Sequence, residues 1–162
     1  MGAIREYRPE DTPQITACFV ALYDFLHNLE SQVLAGRAAT PYLDFMLTSC
    51  RATSGTIFVV EVNNQIVGFV SLWLKVRSEE LDEEPSEYAF ISDLVVLPDY
   101  RGRGLGRALL NRAEQHARRH GATTLKLEVL AKNEQALTLY TRRGFSAYHM
   151  LLVKRLTAEG LC

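Results

Sequence analysis

The chain is 162 residues long and 48% hydrophobic, enough for one ordinary globular domain with a buried core. Its 18 basic and 19 acidic residues leave a net charge of -1, which argues against a general nucleic-acid or membrane-surface binder. The first thirteen residues carry Arg5, Glu6, Arg8, Glu10 and Asp11, so no leader peptide is expected there, and no apolar run reaches the ~18 residues of a membrane span. Cys18, Cys50 and Cys162 are odd in number and widely spaced. They read as free thiols in a reducing, cytoplasmic setting, not as a disulfide framework or a metal site.

In chain order, residues 3–8 suit a short first strand. Thr12 is placed to cap a helix with Pro13 at its first position, and Ile15, Phe19, Leu22, Leu26, Leu29 and Val33 keep helical spacing behind it. Residues 36–40 read as a loop, and Pro41 opens a second helix through Leu43 and Met46. Residues 56–62 and 65–76 flank Asn63-Asn64, the composition of a two-residue hairpin turn. A polar loop at 77–87 follows, in which Glu79, Glu80, Asp82, Glu83, Glu84 and Glu87 crowd together. An apolar strand at 88–97 precedes a glycine-rich loop, and a helix at 105–120 is stopped by Gly121. A strand at 124–130, a short helix beyond Asn133 and a final strand at about 147–156 complete the chain. The order β-α-α-β-β-β-α-β-α-β predicts an α/β fold: a mixed central β-sheet flanked by helices on both faces, in a single domain over residues 1–162.

The segment Leu94-Val95-Val96-Leu97-Pro98-Asp99-Tyr100-Arg101-Gly102-Arg103-Gly104-Leu105-Gly106-Arg107 carries the most chemistry. A strand runs through a tight glycine turn into a helix start, where unpaired N–H groups and the helix dipole favour an anion. Arg101, Arg103 and Arg107 add positive charge. A Walker loop would require Gly-Lys-Ser/Thr, and a dinucleotide fingerprint would require a glycine at Arg107; neither is present. The remaining pattern is Arg101-x-x-Gly104-x-Gly106. By itself it fits a phosphate cradle and a simple strand-to-helix turn with solvated arginines equally well.

That pattern resembles the acetyl-CoA loop of the GNAT (Gcn5-related N-acetyltransferase) family. A second block, Leu127-Glu128-Val129 through Asn133, Ala136, Leu139-Tyr140 and Gly144-Phe145, resembles the same family, and its ribosomal-protein N-terminal acetyltransferases in particular. The resemblance implies a mixed sheet and an enzyme that moves an acetyl group from acetyl-CoA to a primary amine. It implies that Leu94, Val95 and Val96 hold the pantetheine arm as an added strand would, with an N–H near Leu94 supporting the oxyanion. It further implies that Gly102, Arg103, Gly104, Leu105, Gly106 and Arg107, after Arg101, take the pyrophosphate, with Asn133 a further cofactor contact. Asn133 is equally suited to cap the next helix.

Tyr140 corresponds to the family's general acid: a phenol stays protonated at neutral pH and can give its proton to a departing thiolate. Its spacing from Ala136 and Leu137 also suits a core tyrosine. Glu128 and Asp93 are the candidate bases, and each also suits a structural hydrogen bond or ion pair. The acidic loop suggests a small cationic amine as acceptor, or is simply a solvated surface segment. Tyr23, His27, Tyr42 and Trp73 line the acceptor side or pack the core. The alternatives are a peptide or protein N-terminal acetyltransferase and a non-catalytic acyl-CoA-binding regulator. His116 and His120 lie four apart beside Arg118 and Arg119 and read as a solvated face, so no metal is expected. Arg112, Arg118, Arg119 and Lys126 lack interleaved aromatics, so no nucleic acid is expected either. Related proteins are commonly dimers, and the apolar run at 150–153 suits pairing between two copies.

Overall fold

The structure, a computed structural model, describes residues 2–156; Cys162 lies outside them. The elements are β1 (Ala3–Glu6), α1 (Thr12–Leu29), α2 (Thr40–Ala52), β2 (Thr56–Val62), β3 (Gln65–Arg77), β4 (Glu87–Val96), α3 (Leu105–Arg119), β5 (Leu125–Leu127) and α4 (Glu134–Arg142). The strands form one sheet in the order β1-β2-β3-β4-β5. The first four are antiparallel neighbours, and β5 runs parallel to β4, reached by the α3 crossover.

Alternation along the strands divides the apolar residues between two faces. One face carries Ile57, Val59, Phe69 and Val95, covered by Ile15 and Phe19 of α1 and Met46 of α2. The other carries Phe58, Val70, Leu72 and Ile91, covered by Leu109, Leu110 and Ala113 of α3, with Leu139 and Tyr140 of α4 packed at its margin. Phe19, Phe58 and Phe69 are fully buried, each contributing roughly 1.5–3 kcal/mol of transfer free energy. No helix among the described residues is long and apolar enough to cross a membrane. The β2–β3 hairpin turns through Asn63 and Asn64 at φ 50° and 61°. Two left-handed residues define a type I′ turn, and asparagine tolerates that region better than other side chains.

Three expected elements differ. The residue before α1 is Asp11, not Thr12. Thr12 Oγ1 instead donates to the Pro9 carbonyl at 2.7 Å and meets the Tyr7 hydroxyl at 2.6 Å. The strand expected at 124–130 pairs only over Leu125–Leu127. The final strand expected at about 147–156 is not formed: a strand requires backbone partners, and this segment is held by its side chains. Tyr148 bonds to Glu83 and Arg155 to Glu30. Between Leu125-Lys126 and Phe145-Ser146-Tyr148 lies a groove of about 980 Å³. Met150, Leu151, Leu152 and Val153 are 74–88% exposed as a result.

The N-terminal elements are fastened by Arg5, whose guanidinium donates to Asp11 at 2.7 and 2.9 Å and to Glu61 at 3.0 Å. Asp11 also accepts the Arg8 N–H at 2.8 Å. The Arg5 hydrogen bonds hold the nearly buried Asp11 carboxyl below its usual range, against the opposing effect of burial. A depressed carboxyl stabilises the fold above its unfolded pKa, and that contribution is lost as pH falls through the folded value. Asp11→Asn is therefore expected to cost about 2 kcal/mol in urea unfolding at pH 7. The gap from the parent protein should close as the pH is taken below 4, the usual carboxylate range; a gap that does not change with pH would contradict the ion-pair account.

Candidate active site

The site begins at a fault in the β3–β4 ladder. Leu72 faces Ile91 and Ser71 faces Asp93, so Ser92 is an extra residue in β4, a β-bulge. The bulge reverses the alternation. Ala89 and Ile91 point into the α3 face, whereas Asp93 and Val95 point to the α1–α2 face. The β4–β5 ladder ends at this point, with Ile91 opposite Leu127 as its last pair. Ser92 to Val96 therefore form an open edge.

The amides along that edge can be assigned. Leu97 N–H donates to the Val67 carbonyl at 2.8 Å, and bonded and non-bonded pairs alternate along an antiparallel ladder. Asp93 and Val95 thus direct their backbone polar groups at β3, while Leu94 and Val96 direct theirs at the open edge. In keeping with this, the Val96 carbonyl accepts from Arg101 Nε at 2.9 Å instead of from β3.

Beyond β4, Gly102 and Gly104 adopt φ 75° and 79°, the left-handed region where a side chain is strained. Their Cβ positions meet nothing within 4 Å, so glycine is required here by conformation, not by crowding. Gly104 precedes α3 without any side-chain cap, which leaves the first-turn N–H groups of Leu105, Gly106 and Arg107 available to an anion. A Cβ on Gly106 would meet Leu139 and Val96 at ordinary contact distances of 3.7 and 3.9 Å. The arginines divide their work. Arg101 braces the end of β4 and stacks over Phe25 at 5.2 Å; Arg103 donates to the Asp99 carbonyl at 3.1 Å; Arg107 is exposed on the first turn. Asn133 caps α4, its Oδ1 accepting from Ala136 N at 3.2 Å, and its side-chain amide group can still donate.

Across the bulge lies Asp93, 6% exposed. Its Oδ1 accepts from the Tyr23 hydroxyl at 3.3 Å, and its Oδ2 has no partner. Burial raises this carboxyl to about 7. Tyr140, on α4, is pushed up to about 12, first by burial and then by the charge of Asp93. Tyr42 is likewise raised to about 12 by burial and by Asp93. Tyr140 and Asp93 therefore act on one another electrostatically although they come from opposite ends of the chain's second half. Glu128 is exposed just past β5, close enough for its charge to reach Tyr42 and Tyr88. His27 is set apart, its Nδ1 on the Val33 carbonyl at 2.6 Å. The acidic loop lies at the end of β4 remote from the glycine turn; Glu83 bonds to Tyr148 and Ser78 there. Sequence reasoning missed the bulge, although two polar residues, Ser92-Asp93, inside an otherwise apolar strand were its visible signal. It also missed Phe45 and Phe90, which join Trp73 in one ring cluster.

A carboxyl raised on folding weakens the fold as pH climbs from its unfolded value toward 7. Asp93→Asn should therefore raise the thermal midpoint at pH 8 and give little gain at pH 4; an equal shift at both would refute burial of a charge as the cause.

Comparison with known proteins bears on the family and the fold. The model of the acetyltransferase (GNAT) family matches residues 19–145. An uncharacterised N-acetyltransferase of Methanocaldococcus jannaschii is 40% identical over 91 residues, 54% of this chain and 38% of the relative. The chain thus spans well under half the length of that curated relative. Among solved structures, a mutant of the BH1408 protein from Bacillus halodurans superposes with a TM-score of 0.80 at 18% identity, over 96% of this chain and 99% of that one. The aminoglycoside N-acetyltransferase AAC(6')-Iy, solved in complex with CoA, gives a TM-score of 0.67 at 14% identity, covering 96% and 100%. With the family model matching residues 19–145, from within α1 to just beyond α4, the chain belongs to the acetyltransferase (GNAT) family.

Proposed function

We propose that this protein is an acetyl-CoA-dependent N-acetyltransferase that acts on a primary amine, a small cationic one. The observation that carries the reading is the open edge of β4, whose outward amides lead directly to the uncapped start of α3. Leu94 and Val96 would hold the pantetheine arm through their main chain, and the turn from Gly102 to Arg107 the pyrophosphate. Asn133 is a further contact through its free amide donors. Acetyl-CoA supplies a thioester: the amine forms a bond to its carbonyl carbon as the carbon–sulfur bond breaks.

The residues of the chain manage two protons. Asp93, with a carboxyl near neutrality and an unpartnered oxygen, takes the proton that the ammonium must lose before it can attack. Tyr140, held protonated, gives its proton to the departing sulfur and is restored by the second proton that the nitrogen sheds on becoming an amide. Glu128, exposed at the end of β5, serves as an auxiliary base. The acidic loop draws cations toward the end of β4 remote from the donor loop. The buried thiols of Cys18 and Cys50 support a cytoplasmic setting. The exposed apolar run from Met150 to Val153 supports a homodimer in which a second copy covers it.

Release of free thiol from acetyl-CoA, followed across a panel of amines and N-terminal peptides, tests the reading directly. Turnover restricted to peptides would favour the N-terminal acetyltransferase, and tight CoA binding without turnover would favour a regulator. Tyr140→Phe should lower kcat by about 10²-fold with CoA affinity retained. The pH profile of kcat/KM should rise through about 7, and Asp93→Asn should abolish that limb. Neutralising the six loop acids, Glu79, Glu80, Asp82, Glu83, Glu84 and Glu87, should raise KM for a polyamine by about tenfold and leave that for a neutral-bodied amine nearly unchanged.

A further inference from the structure

The α1–α2 face of the sheet carries a band of aromatic rings that the donor side does not use. β3 places Phe69, Ser71 and Trp73 on this face, and across the ladder Ser71 meets Asp93 and Trp73 meets Phe90. α1 lays Tyr23 over it, and α2 lays Tyr42 and Phe45. The rings follow one another without a gap: Tyr23 to Tyr42 at 5.8 Å, Tyr42 to Phe45 at 5.8 Å, Phe45 to Trp73 at 6.0 Å and Trp73 to Phe90 at 5.6 Å. One end of the band is the Tyr23–Asp93 hydrogen bond and the other is Phe90; between them the band reaches solvent at Phe45, 56% exposed.

Three polar atoms on this face are buried without partners: Asp93 Oδ2, Trp73 Nε1 and Ser71 Oγ. A buried donor or acceptor left unpaired costs about 1–3 kcal/mol, and functional sites are where such a cost is tolerated. The unpaired groups specify a ligand. The carboxylate asks for a donor such as an ammonium, and the indole N–H asks for an acceptor such as an oxygen. The faces and edges between them suit a flat apolar body, and rings also attract a cation.

Resting on the amine-acetylation reading above, we propose that this band is the acceptor subsite and that it selects primary amines carried by a short linker on an aromatic ring. The amine meets Asp93 at the bulge, where the open edge of β4 begins. The ring lies against Phe45 and Trp73. The same chemistry is offered by a free arylalkylamine and by a peptide whose first residue is aromatic.

Trp73 is the single tryptophan of the chain, so its fluorescence reports on this subsite without any turnover. Phenethylamine, which does not absorb at the excitation wavelength of tryptophan, should change that emission saturably. Spermidine and 2-phenylethanol, each lacking one half of the recognised group, should bind at least tenfold more weakly. Phe45→Ala, at a position 56% exposed, should weaken phenethylamine about tenfold and leave CoA affinity unchanged. Spermidine binding as well as phenethylamine, or emission that ignores both, overturns the aromatic subsite, whether or not acetyl transfer occurs. Saturable binding without acetyl transfer would uphold the subsite and sink the enzymatic reading. Comparing phenethylamine with a phenylalanine-initiated tripeptide in the thiol-release assay then assigns the source.

Discussion

One extra residue in one strand organises this molecule. Were Ser92 a regular ladder residue, the alternation of β4 would continue unbroken, and Asp93 would point with Ile91 into the core beneath α3. The bulge sends it to the opposite face, where Tyr23 supplies a hydrogen bond. At the same residue the parallel ladder with β5 stops. A single local insertion thus places a carboxyl on one side of the sheet and opens an unpaired backbone edge beside it.

The two sides of the bulge are built from different materials. Toward the C-terminal end of β4 the polar groups are main-chain: the amides of Leu94 and Val96, then the first turn of α3. Positive-φ glycines permit that turn, and Arg101 pins the end of the strand. Toward the other end the groups are side chains, a carboxyl and a sequence of rings packed between α1, α2 and the sheet. The Arg5–Asp11 clamp, at 2.7 and 2.9 Å, is by contrast a satisfied pair. Of the five buried side-chain atoms without partners among the described residues, Asp93 Oδ2, Trp73 Nε1 and Ser71 Oγ lie on the ring face, with Ser92 Oγ at the bulge and Asn111 Oδ1 on α3.

Much of the architecture is local and could be read from the chain. The Asn63-Asn64 turn, the Gly102–Gly104 loop and the Asn133 cap each follow from the conformational habits of two or three residues. The runs flanking the Asn63-Asn64 turn marked β2 and β3, apolar composition marked β4, and helical spacing marked α1 and α3. What escaped was non-local. Period-two reasoning has no means of seeing an added residue, since the bulge exists only relative to β3. The end of the chain showed the same limit. Residues 147–156 are apolar enough for a strand, but whether they pair depends on where Tyr148 and Arg155 are tied, to Glu83 and Glu30 far away in sequence. Tyr23, Tyr42 and Trp73 were ambiguous for a related reason: a ring in a cleft and a ring in a core have the same spacing. Only their neighbours distinguish them.

The outward amides of Leu94 and Val96 have a consequence for how such a chain can diverge. Peptide groups are the same whatever side chain they carry, so any apolar residue that fills the α3 face preserves the edge. Sequence drift there is silent toward whatever the edge binds. On the other face, in the subsite proposed above, the ring of Tyr42 or the indole of Trp73 would itself be the contact, and one codon alters it. Such a frame holds the contacts of its edge in the backbone and those of its ring face in side chains, so a substitution on the ring face changes what it presents while the edge stays constant.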